Sequence, residues 1–591
     1  MFLNRTRRQT ASVVGFASRA ARAHQLARNP RRNYSQNTQQ DARNTPSSSR
    51  WIGPALILVG TFTAASAVYA YRESKTDRVP AVETPKANVT FEKSKTNSAL
   101  SKEENRELLS SQHVQVKKGL ENPGVYAWGL NSHRVVDPES DETVVKTPRR
   151  IHYFDGMLLR DLKLDQTSGA AITENGDLIQ WGKGYSETEF KPTKTLTGKD
   201  LISLSMSRDR IIALSTSGNV YSLPISKSDQ ESGPKPRESS WIPFWASRSR
   251  VSYRQLTPKL GLGEKVTSIS GGLEHVLLLT NAGRVFSAAA ATEHYPSRGQ
   301  LGIPGLTWST RPRGPVDSCH EITTLRGSKI VQTACGDFHS LLLDKDGRVF
   351  VFGDNSFGQL GLEFDPASPF NDTPTLLPLQ RLYPGKNWLT KVTGVAAGGA
   401  SSFMTVDAQR INEPEDQPSA AQSLGPLTAD TWAFGKGLYG TLGTGRWTHI
   451  QDTPTKVKAL SGLFEYDEKT QKIKPIRLNQ ISVGLTHAAA VLGNNTHLTA
   501  SENTSLTDTN WAQDALWWGG NEFWQLGTGK RNNVPTPTHI NAPADIDNTG
   551  DDKETRFQII PRHKGRVGNR KVTMEQRIEC GRNVSAVFSA M

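Results

Sequence analysis

Cysteine is nearly absent: Cys319, Cys335 and Cys580 are the three in 591 residues. Neither a C-x-x-C pair nor a twin C-x9-C pattern occurs, which argues against a zinc ribbon and a thiol relay. Cys335 and Cys580 each precede a glycine in equivalent turns (Ala-Cys-Gly and Glu-Cys-Gly), where a small buried side chain is wanted. Catalytic signatures are missing too. There is no G-x-x-x-x-G-K-S/T phosphate loop, no H-E-x-x-H and no G-x-S-x-G. Gly443-Thr-Gly445-Arg and Gly527-Thr-Gly529-Lys are glycine-rich, but they fall in repeated turns. No catalytic, cofactor or metal residue is expected, and an enzyme is not the expected class.

Acid is absent from the first 34 residues, which hold eight Arg and no Lys. Val13, Val14 and Ala17 share one face of a helical wheel, and Arg8, Arg19 and Arg22 the opposite one. That pattern describes a mitochondrial presequence over 1–34. Arg32 before Tyr34-Ser35 suits a matrix-peptidase cut at Tyr34 and Ser35. A basic arm for nucleic acid is the competing reading. Removing those eight Arg from the 71 Lys and Arg leaves 63 bases against 57 acids. So small a surplus does not favour nucleic acid.

Charge is absent again over the 21 residues Trp51 to Tyr71, bracketed by Arg50 and Arg72. About 20 apolar residues span a bilayer, and Trp51, Tyr69 and Tyr71 sit where interfacial anchors would. The expected order is a presequence (1–34), a short matrix-side segment (35–50), one transmembrane helix in the inner membrane (51–71) and a linker (72–122). The linker carries a short helix from a capping box at Ser101-Lys-Glu-Glu104 to about Lys118. A segment arrested in the membrane places the C-terminal body in the intermembrane space, whereas insertion from the matrix side would reverse it. The intermembrane space is the expected side and the matrix the alternative, although the basic residues on the two flanks are too evenly balanced to add to the choice.

From 123 to 591 one unit repeats. In Ala334 to Leu362 an apolar strand, an Asp346-Gly347 hairpin turn, a return strand ending at Phe352-Gly353 and a Gly358-Gln-Leu-Gly361 tail occur in order. The first half recurs at 168–173, 205–215, 270–280, 334–344, 396–406, 482–491 and 579–588. The second recurs at 125–129, 178–182, 220–223, 285–288, 349–353, 432–435 and 516–519. The first copy of the second half has no partner before it, and the last copy of the first half has none after it. The expected fold is an all-β, seven-bladed β-propeller closed by an N-terminal strand. Blades two and three lack the aromatic-Gly pair, which leaves their geometry open. The polar stretches 407–430 and 494–514 are expected to be loops.

These motifs, a GG-x-x-H-type turn, an x-W-G hairpin and a G-Q-L-G tail, resemble the regulator-of-chromosome-condensation repeat family over about 123–591. His275, His339 and His487 share one offset after a glycine, which the other blades fill with Ser402 or Val584. They are expected to bond within their own blades rather than to hold a metal. Two surface stretches are candidate sites. The apolar knot Trp241, Ile242, Phe244 and Trp245, among Arg237, Arg248, Arg250 and Arg254, suits a headgroup interface or a partner groove. Arg562, Lys564, Arg566, Arg570 and Lys571 form a basic patch for anionic lipid or an acidic partner, or a solvated loop.

A presequence, one span and these repeats together resemble a fungal group of inner-membrane proteins associated with assembly of respiratory complex III, the cytochrome bc1 complex. The resemblance implies a non-enzymatic scaffold whose partners are the inner membrane and subunits or assembly intermediates of that complex. Guanine-nucleotide exchange on a mitochondrial GTPase, as the chromatin-bound relatives act on Ran, is the alternative, although no segment matches their acidic loops and wedge. Binding to the mitoribosome or RNA in the matrix is a third. Oligomeric state is not legible.

Overall fold

In the inner strands of the repeat nearly every side chain is apolar, as a strand covered on both faces requires. His339–Asp344 illustrates the result: Leu341 and Leu343 pack toward the following blade, Leu342 toward the preceding one, and all three are buried. The computed structural model describes residues 111–591, apart from 239–246, 386, 413–422, 468–469, 495–511, 546–555 and 568–569. The presequence, the 51–71 run and the capping box lie outside the described residues. Among the described residues no helix is long and apolar enough to cross a membrane.

The described residues form seven antiparallel four-stranded blades. Blade 1 comprises Leu159–Leu164, Gly169–Thr173, Leu178–Trp181 and Thr193–Lys194. Blades 4, 5 and 6 begin at Ile330–Cys335, Trp388–Gly398 and Leu478–Val483. Blades 2 and 3 are complete despite their degenerate motifs. Their fourth strands, Arg254–Leu256 and His320–Glu321, are short but paired. Blade 7 joins the chain ends. Arg570–Cys580 and Val584–Ala590 supply its inner strands, and Val125–Leu130 pairs with Val584–Ala590. Two N-terminal strands complete it, not one, because Val144–Arg150 adds to Val125–Leu130. The first strand of every blade touches the first strand of the next, including blade 7 to blade 1, so the ring is closed.

Six buried clusters fill the gaps between blades, and the largest joins blades 6, 7 and 1 around Trp128, Trp181 and Trp517. The core is thus partitioned between neighbours. Close approach explains the glycines. A Cβ on Gly353 (φ +109°) would sit 2.5 Å from the Phe338 carbonyl oxygen. On Gly527 (φ +72°) it would sit 2.8 Å from Trp128 Nε1.

Two expected loops are partly sheet. Ser401–Asn412 and Thr428–Gly437 continue as paired strands well into 407–430, because Asp407 and Ala408 keep the register with Ala429 and Thr428. Gln513–Gly519 likewise begins inside the 494–514 stretch. A helix, Ser111–Glu121, precedes the propeller and runs a few residues beyond its expected end.

Candidate binding faces and the joints between blades

The three histidines hold neighbouring blades together, which corrects the expectation that each bonds within its own. His275 Nε2 lies 2.8 Å from Ser340 Oγ, His339 Nε2 lies 2.8 Å from Ser402 Oγ, and His487 Nε2 lies 2.7 Å from Ser585 Oγ. Each serine belongs to the next blade. Ser402 and Ser585 donate onward to the carbonyls of Gln359 and Gln525, both at 2.7 Å. A hydroxyl that donates its one proton there must accept from the imidazole, so Nε2 carries the hydrogen and Nδ1 the lone pair. All three rings are fully buried. Burial pulls their pKa values down to about 3 for His275 and His487 and about 4 for His339, so the rings are neutral. Strand register also shows that Ser401, opposite Gly435, holds the position that His339 holds opposite Gly353. Ser402 matches Ser340, the acceptor, instead; the turns are equal in length, and the equivalent glycine is Gly398 rather than Gly399.

The tail of one blade meets the aromatic of the next. Trp128 Nε1 donates to Gln525 O at 2.9 Å, and Trp518 Nε1 to Thr441 O at 2.7 Å. Trp181 Nε1 donates to Val135 O at 2.8 Å. The Trp-Gly and Gln-Leu-Gly motifs are therefore two halves of one joint. Blade 2, which lacks Trp-Gly, is fastened otherwise: buried Gln230, on the short helix Lys227–Ser232, donates to Gln180 Oε1 of blade 1 at 2.9 Å.

A channel of about 400 Å³ runs between the seven first strands. The turns at one end interlock through the backbone: Arg208 N–H donates to Leu273 O (3.0 Å), Leu273 N–H to Asp337 O (3.0 Å) and Asp337 N–H to Gly399 O (2.7 Å). Arg582 of blade 7 reaches Asp337 of blade 4 at 2.6 Å and Asp165 of blade 1 at 3.3 Å. It spans the channel mouth. Deeper, Lys163 pairs with Glu579 at 2.7 Å, and burial lifts the Glu579 carboxyl to about 7 while Lys163 opposes the shift. Cys335 and Cys580 line this wall as buried free thiols and Cys319 is also free; burial raises all three, Cys335 to about 11 and Cys319 to about 12. Among the described residues no group of His, Cys, Asp and Glu is arranged to hold a metal ion.

Consecutive strands of a blade are antiparallel, so connections alternate between the two ends of the ring. The two candidate surfaces consequently fall at opposite ends. The aromatic-basic insertion joins the third and fourth strands of blade 2, at the end that carries the interlocked turns. Arg237–Glu238 pairs with Ser247–Arg248, setting Arg237 opposite Arg248, and Arg250 is exposed. Trp241, Ile242, Phe244 and Trp245 lie outside the described residues. Arg254 is held by Asp317 at 2.9 Å. Trp308 and Trp447 sit on connections at the same end, 59% and 53% exposed. Sequence reasoning missed both, since single tryptophans in loops carry no pattern.

The basic patch is at the other end, where first strands begin. It is a β-hairpin rather than a loop: His563–Val567 pairs with the start of Arg570–Cys580, with Lys564 opposite Thr573 and Arg566 opposite Lys571. Arg562, Lys564, Arg570 and Lys571 are exposed. Arg570 forks onto Glu174 at 2.8 and 2.9 Å, so it is partly neutralised.

Two profiles of the Regulator of chromosome condensation (RCC1) repeat match residues 330–359 and 346–404. The mitochondrial protein FMP25 of Saccharomyces cerevisiae is 28% identical over 443 residues, 70% of this chain. The match spans 64% of the yeast protein, less than two thirds of its length. The mitochondrial RCC1 domain-containing protein RUG3 of Arabidopsis thaliana is 24% identical over 59% of this chain and 68% of its own. Among solved structures, human WBSCR16 superposes with a TM-score of 0.51 at 17% identity, over 79% of this chain and 99% of that one. Prp20p of Saccharomyces cerevisiae gives 0.50 at 16% identity, over 80% and 94%. Repeat, joints and superposition agree: the chain matches RCC1 repeats over 330–404, folds as an RCC1-like β-propeller, and has mitochondrial proteins among its relatives.

Proposed function

We infer that this protein is a non-enzymatic scaffold anchored in the mitochondrial inner membrane, with its propeller in the intermembrane space. On this reading it assists assembly of respiratory complex III by receiving a subunit or an early intermediate. One observation carries the scaffold reading. The buried histidines, the Lys163–Glu579 pair and Arg582 are all engaged in holding blades to one another. The ring is built to be rigid, and what differs between blades is their connections, where recognition commonly resides. The mitochondrial relatives and the acid-free presequence support the compartment, and the uncharged 51–71 run supports the anchor. Complex III enters from the resemblance to the fungal inner-membrane group.

The partner is assigned to the end of the ring bearing the 225–253 insertion, Trp308 and Trp447. Exposed tryptophans beside arginines are the residue types that dominate binding energy at interfaces. The test is a native gel of respiratory complexes from cells lacking the protein, with mitochondrial translation products labelled in parallel. Loss of complex III with normal translation is expected. A general fall in labelled products would point to the ribosome or to a GTPase instead, and unchanged complexes would refute the reading.

A further inference from the structure

Three elements lie at the opposite end of the ring, on or beside blades 6 and 7. The helix Ser111–Glu121 arrives there from the N-terminal segment. Gln115 Nε2 donates to Arg556 O at 2.7 Å, its Oε1 accepts from Gln558 N at 3.0 Å, and Val116 packs with Ala512 and Ile560. Against this helix stands the basic hairpin; the stretch 562–571 holds five Lys and Arg and no acid. Of the acids just before it, Asp545 accepts from Tyr126 Oη at 2.8 Å.

The third element is a separate two-stranded hairpin, Phe464–Asp467 with Lys472–Pro475, on the connection into blade 6. Its register sets Phe464, Tyr466, Ile473 and Pro475 on one face, and Glu465, Asp467, Lys472 and Lys474 on the other. The apolar face is open to solvent, as are Lys472 and Lys474 on the other face. Phe464, Tyr466 and Ile473 are 43%, 62% and 69% exposed, while Lys474 pairs with Asp467 on the charged face. Two strands alone are marginal in water. A hairpin that also shows its apolar face to solvent lacks the burial that would hold it, so an apolar medium is the expected cover.

We propose that this end of the ring rests on an anionic lipid bilayer. The hairpin 464–475 presses Tyr466 and Ile473 into the interface, and the hairpin 562–571 meets headgroup phosphates. Tyrosine and aliphatic side chains flanked by lysine are the chemistry of an interfacial anchor, and clustered Lys and Arg are that of an anionic headgroup site. The sequence points to the occupant: an uncharged 51–71 run precedes the helix Ser111–Glu121, which enters the propeller at this same end. The proposal rests on the membrane reading above and adds to it an orientation: one end toward lipid, the other left open to a protein partner.

The test uses the full chain reconstituted in vesicles of phosphatidylcholine with about one fifth phosphatidylglycerol. A fluorophore is placed at Ile473→Cys or, at the opposite end, at Ser309→Cys, each in a Cys319→Ser background, and a lipid-borne quencher is titrated. Quenching about threefold stronger at 473 than at 309 is expected. The triple variant Arg562→Glu, Lys564→Glu, Lys571→Glu should bring 473 down toward 309 while the protein stays resistant to alkaline extraction. Equal quenching at the two positions overturns the proposal. So does shielding of 473 that appears only when soluble mitochondrial proteins are added, which would make the occupant a protein. Shielding that tracks protein concentration in detergent would make it a second copy. No respiratory complex is measured, so this result and the native-gel result stand or fall separately.

Discussion

Acidification acts on three buried imidazoles at once. His275, His339 and His487 titrate near 3, 4 and 3 when folded, against an ordinary value of about 6.5. Their folded-state values are depressed, so below pH 6.5 the unfolded chain takes up protons that the folded ring refuses. The stability tied to the neutral rings is therefore complete above about pH 6.5 and drains away as pH falls toward 4. Each ring contributes a slope of about 1.4 kcal/mol per pH unit, so three give about 4. Between pH 6.5 and 5 the loss is a little under 2 kcal/mol per ring and about 5 in total, of which proton uptake by Glu579, whose carboxyl burial lifts to about 7, returns about 2. The assay is urea unfolding of the full chain in detergent, followed by tryptophan fluorescence from pH 7.5 to 5. The midpoint should collapse over that range. Replacing His339 by Gln, which keeps a donor but cannot titrate, should lower stability at pH 7.5 and remove about a third of the slope. A slope unchanged by His339→Gln, or a midpoint flat between pH 6.5 and 5, would refute the account of the joints.

Three further outcomes are expected from the same joints. Trp128→Phe removes the indole bond to Gln525 O (2.9 Å) where the ring closes, and should cost about 1–3 kcal/mol and make the segment after residue 121 more protease-sensitive. Gly527→Ala places a methyl 2.8 Å from Trp128 Nε1 at a φ of +72°, and should destabilise by more than about 1 kcal/mol; calorimetry of the same preparation checks it. Arg582→Gln leaves Asp337 and Asp165 without their cation at the channel mouth, and should lower the thermal midpoint read by calorimetry at neutral pH.

Much of this architecture is legible in the sequence, because each blade repeats the same steric demands. Gly353 and Gly527 stand where a side chain would strike the backbone or the next blade's indole, so they mark turns even in isolation. The unpaired repeat halves at 125–129 and 579–588 announce the closure of blade 7. What escaped was contact between blades. A histidine, a serine one position further on in the next repeat and a glutamine in a tail form one chain of bonds, yet they lie about 60 to 100 residues apart, as His487 and Ser585 do. No local pattern links them. Val144–Arg150 was missed because its Lys, Pro and Arg residues give no strand alternation; as an outer strand it needs little burial. Lys564 and Arg566 read as a loop because charge hides a hairpin that extends an inner strand. The hairpin at 464–475 went unnoticed for a related reason, since its apolar face has no core behind it.

The central claim is that a rigid propeller presents one end to a partner in respiratory assembly. Chemical cross-linking of the tagged full chain in intact mitochondria, with the linked residues identified by mass spectrometry, tests it most directly. The account predicts links from complex III subunits to the connections at 183–192, 225–253, 290–319 and 437–447, and few to 464–475 or 562–571. Links confined to ribosomal proteins or to a GTPase, or partner links concentrated on those two hairpins, would contradict it.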